Sequence, residues 1–215
     1  MAPSTGDLAG CFVTIEGGEG TGKTTLLAAL AERARAKGLD VVTCREPGGT
    51  ALGERLRSAL LGADGSAPDP RAELLVFAAA RAQLVAEVVR PALDRGALVL
   101  CDRYADSTTA YQHYGRGLPR ETVDAVNAAA TGALTPDLTL LLDLPPTEGL
   151  RRAGRAGDYM EREDLAFHER VRAGYGELAR SEPERWRVLD ASRGAGDMAD
   201  EAWGEIVRAA QLGPA

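Results

Sequence analysis

Apolar positions along the chain alternate between two periods. Short, nearly continuous runs of β-branched residues and leucine occur at 11–16, 40–44, 97–101, 138–143 and 187–190. Runs of that length and make-up predict strands. Longer stretches rich in Ala, Leu, Arg and Glu lie between them, at 23–37, 51–61, 69–94, 104–131 with a break near 115–119, 146–180 with interruptions, and 197–211. These predict helices. Strands that are apolar throughout need cover on both faces, and an intervening helix makes neighbouring strands parallel. Right-handed crossovers then give a doubly wound α/β sandwich. Residues 62–70 (GADGSAPDP) read as a polar turn-rich loop within it.

Composition narrows the setting. The chain has 215 residues, 45% apolar and 27% charged, enough for one sizeable core. No apolar run approaches the roughly 20 residues that span a bilayer. The opening MAPSTGDLAG has neither the basic start nor the apolar stretch of a secretory signal. The cytoplasm is the expected location. One domain is expected over 11–213, with residues 1–10 frayed before the first strand. Cys11, Cys44 and Cys101 show no disulfide or zinc spacing, and His113 and His168 stand apart.

The formal net charge of −7 argues against nucleic acid or an anionic membrane as partner. An anionic ligand must therefore meet a local cluster of positive charge. Of the 25 basic residues only Lys23 and Lys37 are lysines, which makes the position of Lys23 informative.

Lys23 lies in FVTIEGGEGTGKTTLLAAL, which contains G-x-x-x-x-G-K-[ST] at Gly17, Gly22, Lys23 and Thr24, between a predicted strand and a predicted helix. Glycines at 17, 18, 20 and 22 let successive N–H groups converge on phosphate oxygens, and the helix adds the positive end of its dipole. Gly17, Gly18, Glu19, Gly20, Thr21, Gly22, Lys23, Thr24 and Thr25 are the expected ATP-binding residues. Lys23 bridges the β- and γ-phosphates in this reading, and the Thr24 hydroxyl takes a place on Mg²⁺. No N-K-x-D guanine-reading motif occurs. The third predicted strand runs into VLCDRY, putting Asp102 at the sheet's carboxyl edge as a second metal-facing group, with Arg103 next to it.

Beyond the loop, five stretches (IEGGEGTGKTT, REPGGTALGERLR, FAAARAQLV, DRYADSTTAYQHYGRGLP and TPDLTLLLDLPP) resemble bacterial thymidylate kinases across about residues 11–210. The resemblance implies a P-loop nucleoside-monophosphate-kinase-like, three-layer α/β sandwich with a five-stranded parallel sheet. It further implies ATP and dTMP as substrates, Mg²⁺, a homodimer built on helix packing, and an arginine-bearing lid at about 150–163. Carried onto this chain, Phe77 stacks on thymine and Arg81 meets a base carbonyl, the two being four apart on one helix. Thr108 and Gln112, again four apart, face the base edge, and Tyr111 crowds the sugar's 2′ position. Glu46, extended because Pro47 follows it, and Arg57 serve the acceptor phosphate, with Arg103.

The arginines for transfer are expected from the lid (Arg151, Arg152 and Arg155), with Glu19 at the variable P-loop position orienting one of them. Six arginines between Arg151 and Arg172 exceed the chain's own bias. Expected catalytic residues are thus Lys23, Arg103, Glu19, Arg151 and Arg155. Tyr159 departs from the pattern, standing where an Arg is common. Residues 154–158 are the expected mobile stretch, and 191–193 the expected adenine neighbourhood. Two other readings were weighed: a kinase for another nucleoside monophosphate, and a P-loop ATPase that switches a protein partner.

Overall fold

Each apolar run becomes a strand in the computed structural model, which describes residues 10–61, 68–154, 159–160 and 162–211. The strands are β1 (Phe12–Glu16), β2 (Val41–Arg45), β3 (Leu98–Asp102), β4 (Leu138–Asp143) and β5 (Trp186–Asp190). All neighbours pair in parallel, in the order β2-β3-β1-β4-β5. β3 continues one residue past its apolar run because Asp102 still pairs with Ile15 and Arg45. Ladder bonds come from the backbone and are indifferent to side-chain polarity.

The helices are α1 (Lys23–Ala36), α2 (Ala51–Leu61), α3 (Pro70–Leu84), α4 (Arg90–Asp94), α5 (Ala105–Thr108), α6 (Arg120–Thr131), α7 (Pro146–Ala153), α8 (Leu165–Ser181) and α9 (Ala195–Gln211). Asp69 caps α3 by accepting from the Arg71 N–H at 2.9 Å, and Pro70 opens the helix. Asp164 caps α8 through the Phe167 N–H at 2.7 Å. The predicted 69–94 helix is continuous but relaxes into a π turn at Val85–Val89, where Arg90 N–H reaches back to Val85. Pro91 follows immediately and has no N–H for the α ladder. A second π stretch, Thr109–Gly115, continues α5. The break expected near 115–119 separates it from α6.

Alternate strand residues face opposite layers. Val13, Ile15, Leu140 and Leu142 pack with Leu26 and Leu30 of α1 and Trp203 and Ile206 of α9. Phe12, Val99 and Cys101 pack with Leu84, Val85, Val89 and Tyr104 on the other face. Beside them Leu141 and Trp186 pack with Tyr111, Phe167, Val171 and Tyr175. This is the three-layer sandwich, and it puts Glu16 and Asp102 side by side at one end of the sheet. Among the described residues no helix is long and apolar enough to cross a membrane.

Candidate active site

The loop between β1 and α1 stands at that carboxyl end. Gly22, at φ 92°, is the N-cap of α1; no side chain caps the helix and its first turn has no acid, so its leading N–H groups keep their affinity for an anion. Lys23 is buried, its Nζ donating to the carbonyls of Gly17 at 3.2 Å and Gly18 at 2.7 Å. Burial, with Arg103 nearby, pushes its pKa down to about 8. The Thr21 hydroxyl donates to Gly18 O, and Thr24 Oγ1 donates to Asp102 Oδ2 at 2.9 Å. Gly20 to Thr25, Asp102 and Arg103 line one open groove. The loop also carries α7 on its back: a Cβ at Gly20 would lie 2.0 Å from Gly149 O, and one at Gly149 2.2 Å from Glu19 O.

Arg103 is the electrostatic centre. Its backbone is left-handed, at φ 71°, which turns the side chain from the end of β3 toward the loop. One terminal nitrogen donates to Gly17 O, Ser107 Oγ and Tyr175 Oη; the other donates to Glu19 Oε1 at 2.8 Å and Tyr111 Oη at 3.1 Å. Burial raises the pKa of Glu19, but Arg103 and Lys23 outweigh it and hold the carboxyl at about 2. Among the described residues, then, Glu19 pairs with Arg103 and not with a lid arginine. The physical reason is proximity: Arg103 is half enclosed by the loop itself. Beneath it Glu16 is fully buried, accepting from Tyr104 N–H, Ser107 and Tyr175. Burial and the charge of Asp106 push its pKa up to about 7.

Next to the groove is a cleft of about 140 Å³. It gathers Glu46, Arg57, Phe77, Arg81, Arg103, Thr108, Tyr111 and Gln112, which is every residue expected to touch the second nucleotide. Arg81, 1% exposed, donates to Glu46 Oε2, Asn127 Oδ1, Tyr104 O and Thr108 Oγ1. Among the described residues Glu46 Oε1 is buried without a hydrogen-bond partner, and burial raises the carboxyl's pKa against the pull of Arg81. Arg57 donates to Pro47 O at 3.0 Å. The Glu46–Pro47 peptide is cis. Tyr111 donates to Glu19 at 2.7 Å and lies under Arg103, 5.0 Å from ring centre to guanidinium.

The lid arginines separate. Arg155 lies outside the described residues, as do 156–158 of the expected mobile stretch and residues 1–9. Arg151 is 71% exposed and pairs with Glu148. Arg152 also pairs with Glu148, donates to Ala191 O at 2.9 Å, and lines the P-loop groove, which Arg151 does not.

Residues 15–202 match the family model described as thymidylate kinase. The chain belongs to the thymidylate kinase family. It is 52% identical over 200 residues to the thymidylate kinase of Deinococcus radiodurans, covering 92% of this chain and 96% of that one. With the thymidylate kinase of Desulfovibrio desulfuricans it shares 54% identity over 191 residues, 85% and 88% of the two chains. The crystal structure of thymidylate kinase from Ehrlichia chaffeensis superposes with a TM-score of 0.78 at 32% identity, covering 93% of this chain and 99% of that one. The fold predicted from the two residue periods and from the family resemblance is therefore the one found.

Several site residues escaped the sequence reading. Ser107 and Tyr175 hold Arg103, Asn127 holds Arg81, and Gly149 seats the loop. Glu73 anchors Gln112, and it alone left a signal: it precedes Phe77 and Arg81 at successive four-residue steps on the same helix.

Proposed function

We propose that the groove holds ATP, that the cleft holds dTMP, and that the residues gathered between them carry the family's reaction: ATP-dependent phosphorylation of dTMP to give ADP and dTDP. One observation carries this reading. Glu19, Glu46, Arg57 and Arg103 line both cavities, so the terminal phosphate of one nucleotide and the phosphate of the other meet at a shared wall.

Transfer needs little covalent help from the protein. An oxygen of the dTMP phosphate, already ionised near neutral pH, attacks the γ-phosphorus. The bond to the β–γ bridging oxygen breaks, and its electron pair leaves with ADP. What the chain supplies is charge and alignment. Lys23 exchanges its two loop carbonyls for phosphate oxygens, and Arg103, held by Glu19 and two tyrosines, spans the reacting groups. Arg57 grips the acceptor phosphate, and Phe77, Arg81, Thr108 and Gln112 take the base. Tyr111, fixed between Glu19 and Arg103, sits against the sugar. Arg152, with Arg151 and Arg155, belongs to a lid over about 150–163 that excludes water within a single domain.

The hard oxygen donors Thr24 and Asp102, 2.9 Å apart, suit Mg²⁺, which the family uses generally as a divalent metal. Among the described residues no group of three or more His, Cys, Asp or Glu is placed to hold a metal. When bound it neutralises charge on the transferring group. Leu52 and Leu75, 36% and 58% exposed on the packed helices α2 and α3, are apolar groups available to the homodimer that the family resemblance implies. The cytoplasmic location expected from the sequence is kept with this reading; three free cysteines fit a reducing compartment.

Coupled measurement of ADP release with dTMP, dUMP, UMP, CMP, AMP and GMP in parallel tests the assignment. Preference for dTMP is expected; preference for any other base, or ATP consumption independent of added monophosphate, overturns it.

A further inference from the structure

Glu73 lines neither cavity, yet it is completely buried. Its oxygens take four hydrogen bonds. Oε1 accepts from Gln112 Nε2 at 2.7 Å and Arg116 Nε at 3.2 Å; Oε2 accepts from an Arg116 terminal nitrogen at 3.1 Å and the Tyr159 hydroxyl at 2.7 Å. Arg116 is itself clamped from the far side by Glu163 at 2.5 Å. The carboxylate is thus fixed from two directions: by the second π stretch with its cap Arg116, and by Tyr159 of the lid segment.

A carboxylate accepts hydrogen bonds and donates none. The two ends of the Gln112 carboxamide are therefore not interchangeable: its NH₂ has to face Glu73, and its oxygen has to face the opposite way. Gln112 lines the cleft, and among the described residues its Oε1 accepts no hydrogen bond. Beside it Arg81 has four of its five N–H groups engaged within the protein, which leaves donor capacity on the same wall. The wall reads as a donor next to an acceptor. Its complement is a carbonyl next to a ring N–H, the edge of thymine and uracil. Cytosine presents an amino group next to a bare ring nitrogen, the reverse pattern.

We propose that Glu73 is a positioning residue that sets base selectivity, by locking the carboxamide of Gln112 with its oxygen toward the nucleobase. This rests on the cleft being the dTMP site. A cytosine base would be met only by turning Gln112 over, which would bring its oxygen against a buried carboxylate. The lock also reaches the lid, because Tyr159 shares the same carboxylate. A tyrosine hydroxyl does there, as donor, what a longer cationic side chain at that position would also do.

The test is Glu73→Gln, assayed with ATP against dTMP, dUMP and dCMP. The amide at 73 can present either its oxygen or its NH₂ to Gln112, so the lock is loosened while shape is kept, at the cost of one hydrogen bond from Arg116 in either orientation. The ratio of kcat/KM for dTMP over dCMP is expected to fall at least about tenfold, the scale of one hydrogen bond exchanged for a mismatch. The fall should come through KM for the monophosphate, with KM for ATP unchanged. Equal proportional losses for dTMP and dCMP would overturn the proposal and leave Glu73 a structural anchor. A measurement on the unmodified enzyme stands apart from any folding defect. With 5-fluoro-dUMP, whose ring N–H ionises at lower pH than that of dTMP, KM relative to dTMP is expected to climb as that proton is lost. A flat ratio would overturn the orientation of Gln112. Failure of the unmodified enzyme to use dTMP at all is a different result, and would remove the reading of the cleft together with this proposal.

Discussion

The two cavities that meet at Arg103 are built from different materials. The phosphate groove is mostly backbone: glycine peptides, the uncapped start of α1, and one lysine folded onto carbonyl oxygens. Its loop is contiguous in sequence, from Gly17 to Thr25, and Gly20 to Thr25 face an open groove. The base cleft is mostly side chain. Arg81, Glu46, Thr108, Asn127, Glu73 and Gln112 come from four separate stretches, and they hydrogen-bond among themselves while almost wholly buried. A charged phosphate needs many convergent donors and tolerates some slack, whereas a neutral base is told apart only by donors and acceptors that cannot swap roles.

If that contrast is sound, damage to the groove strikes rate and damage to the cleft strikes selectivity and affinity. The largest effect is expected from Lys23→Ala, with kcat falling about 10² to 10³-fold by analogy with loss of one preorganised donor. The melting temperature should move little, since the lysine's ionised form is disfavoured by its burial. A variant keeping more than about a tenth of wild-type turnover breaks the comparison on the groove side. Arg81→Lys comes next. A lysine offers three donors from a single point where the guanidinium serves four partners in a fork, so KM for dTMP should rise more than about tenfold. KM for ATP should stay within about twofold, and steady-state kinetics with each substrate varied in turn separates the two. Equal rises for both substrates would show the cavities to be one unit.

A last effect, on stability and not on turnover, sits beneath both. Glu16 has its folded pKa raised to about 7 from an ordinary 4.5. Its contribution is therefore fully present below pH 4.5 and is lost as pH climbs through 7, worth up to about 3 kcal/mol. Glu16→Gln keeps the acceptor for Tyr104 N–H and cannot ionise, so its stability should fall less between pH 5 and pH 8 than that of the wild type. Parallel slopes in denaturant melts at the two pH values would contradict the assignment.

How much of this was legible in the residues follows the same divide. The groove is local, so strand, glycine loop, lysine and helix could be read from one window, and β1, β3 and β4 fell within a residue of their apolar runs. The cleft was reached through family resemblance. Phe77 and Arg81 gave a shared helical face, but nothing in their spacing announces that Arg81 meets Asn127, 46 positions away. The partner that Glu19 has among the described residues was hidden for a related reason. That partner, Arg103, is 84 positions distant and is aimed by a left-handed backbone that no residue pattern marks, whereas the lid arginines were conspicuous by number. That Arg152 lines the groove and Arg151 does not likewise depends on which side of α7 turns toward the loop.

That turn of α7 brings two glycines, 20 and 149, into direct peptide-to-peptide touch. A joint of that kind has no springy material in it. The spacing between the loop and the root of α7 is therefore set by bare peptide groups, and the helix that carries Arg152 is seated by the same turn that bends at Gly20. Neither glycine can be exchanged for even an alanine without prising that joint apart.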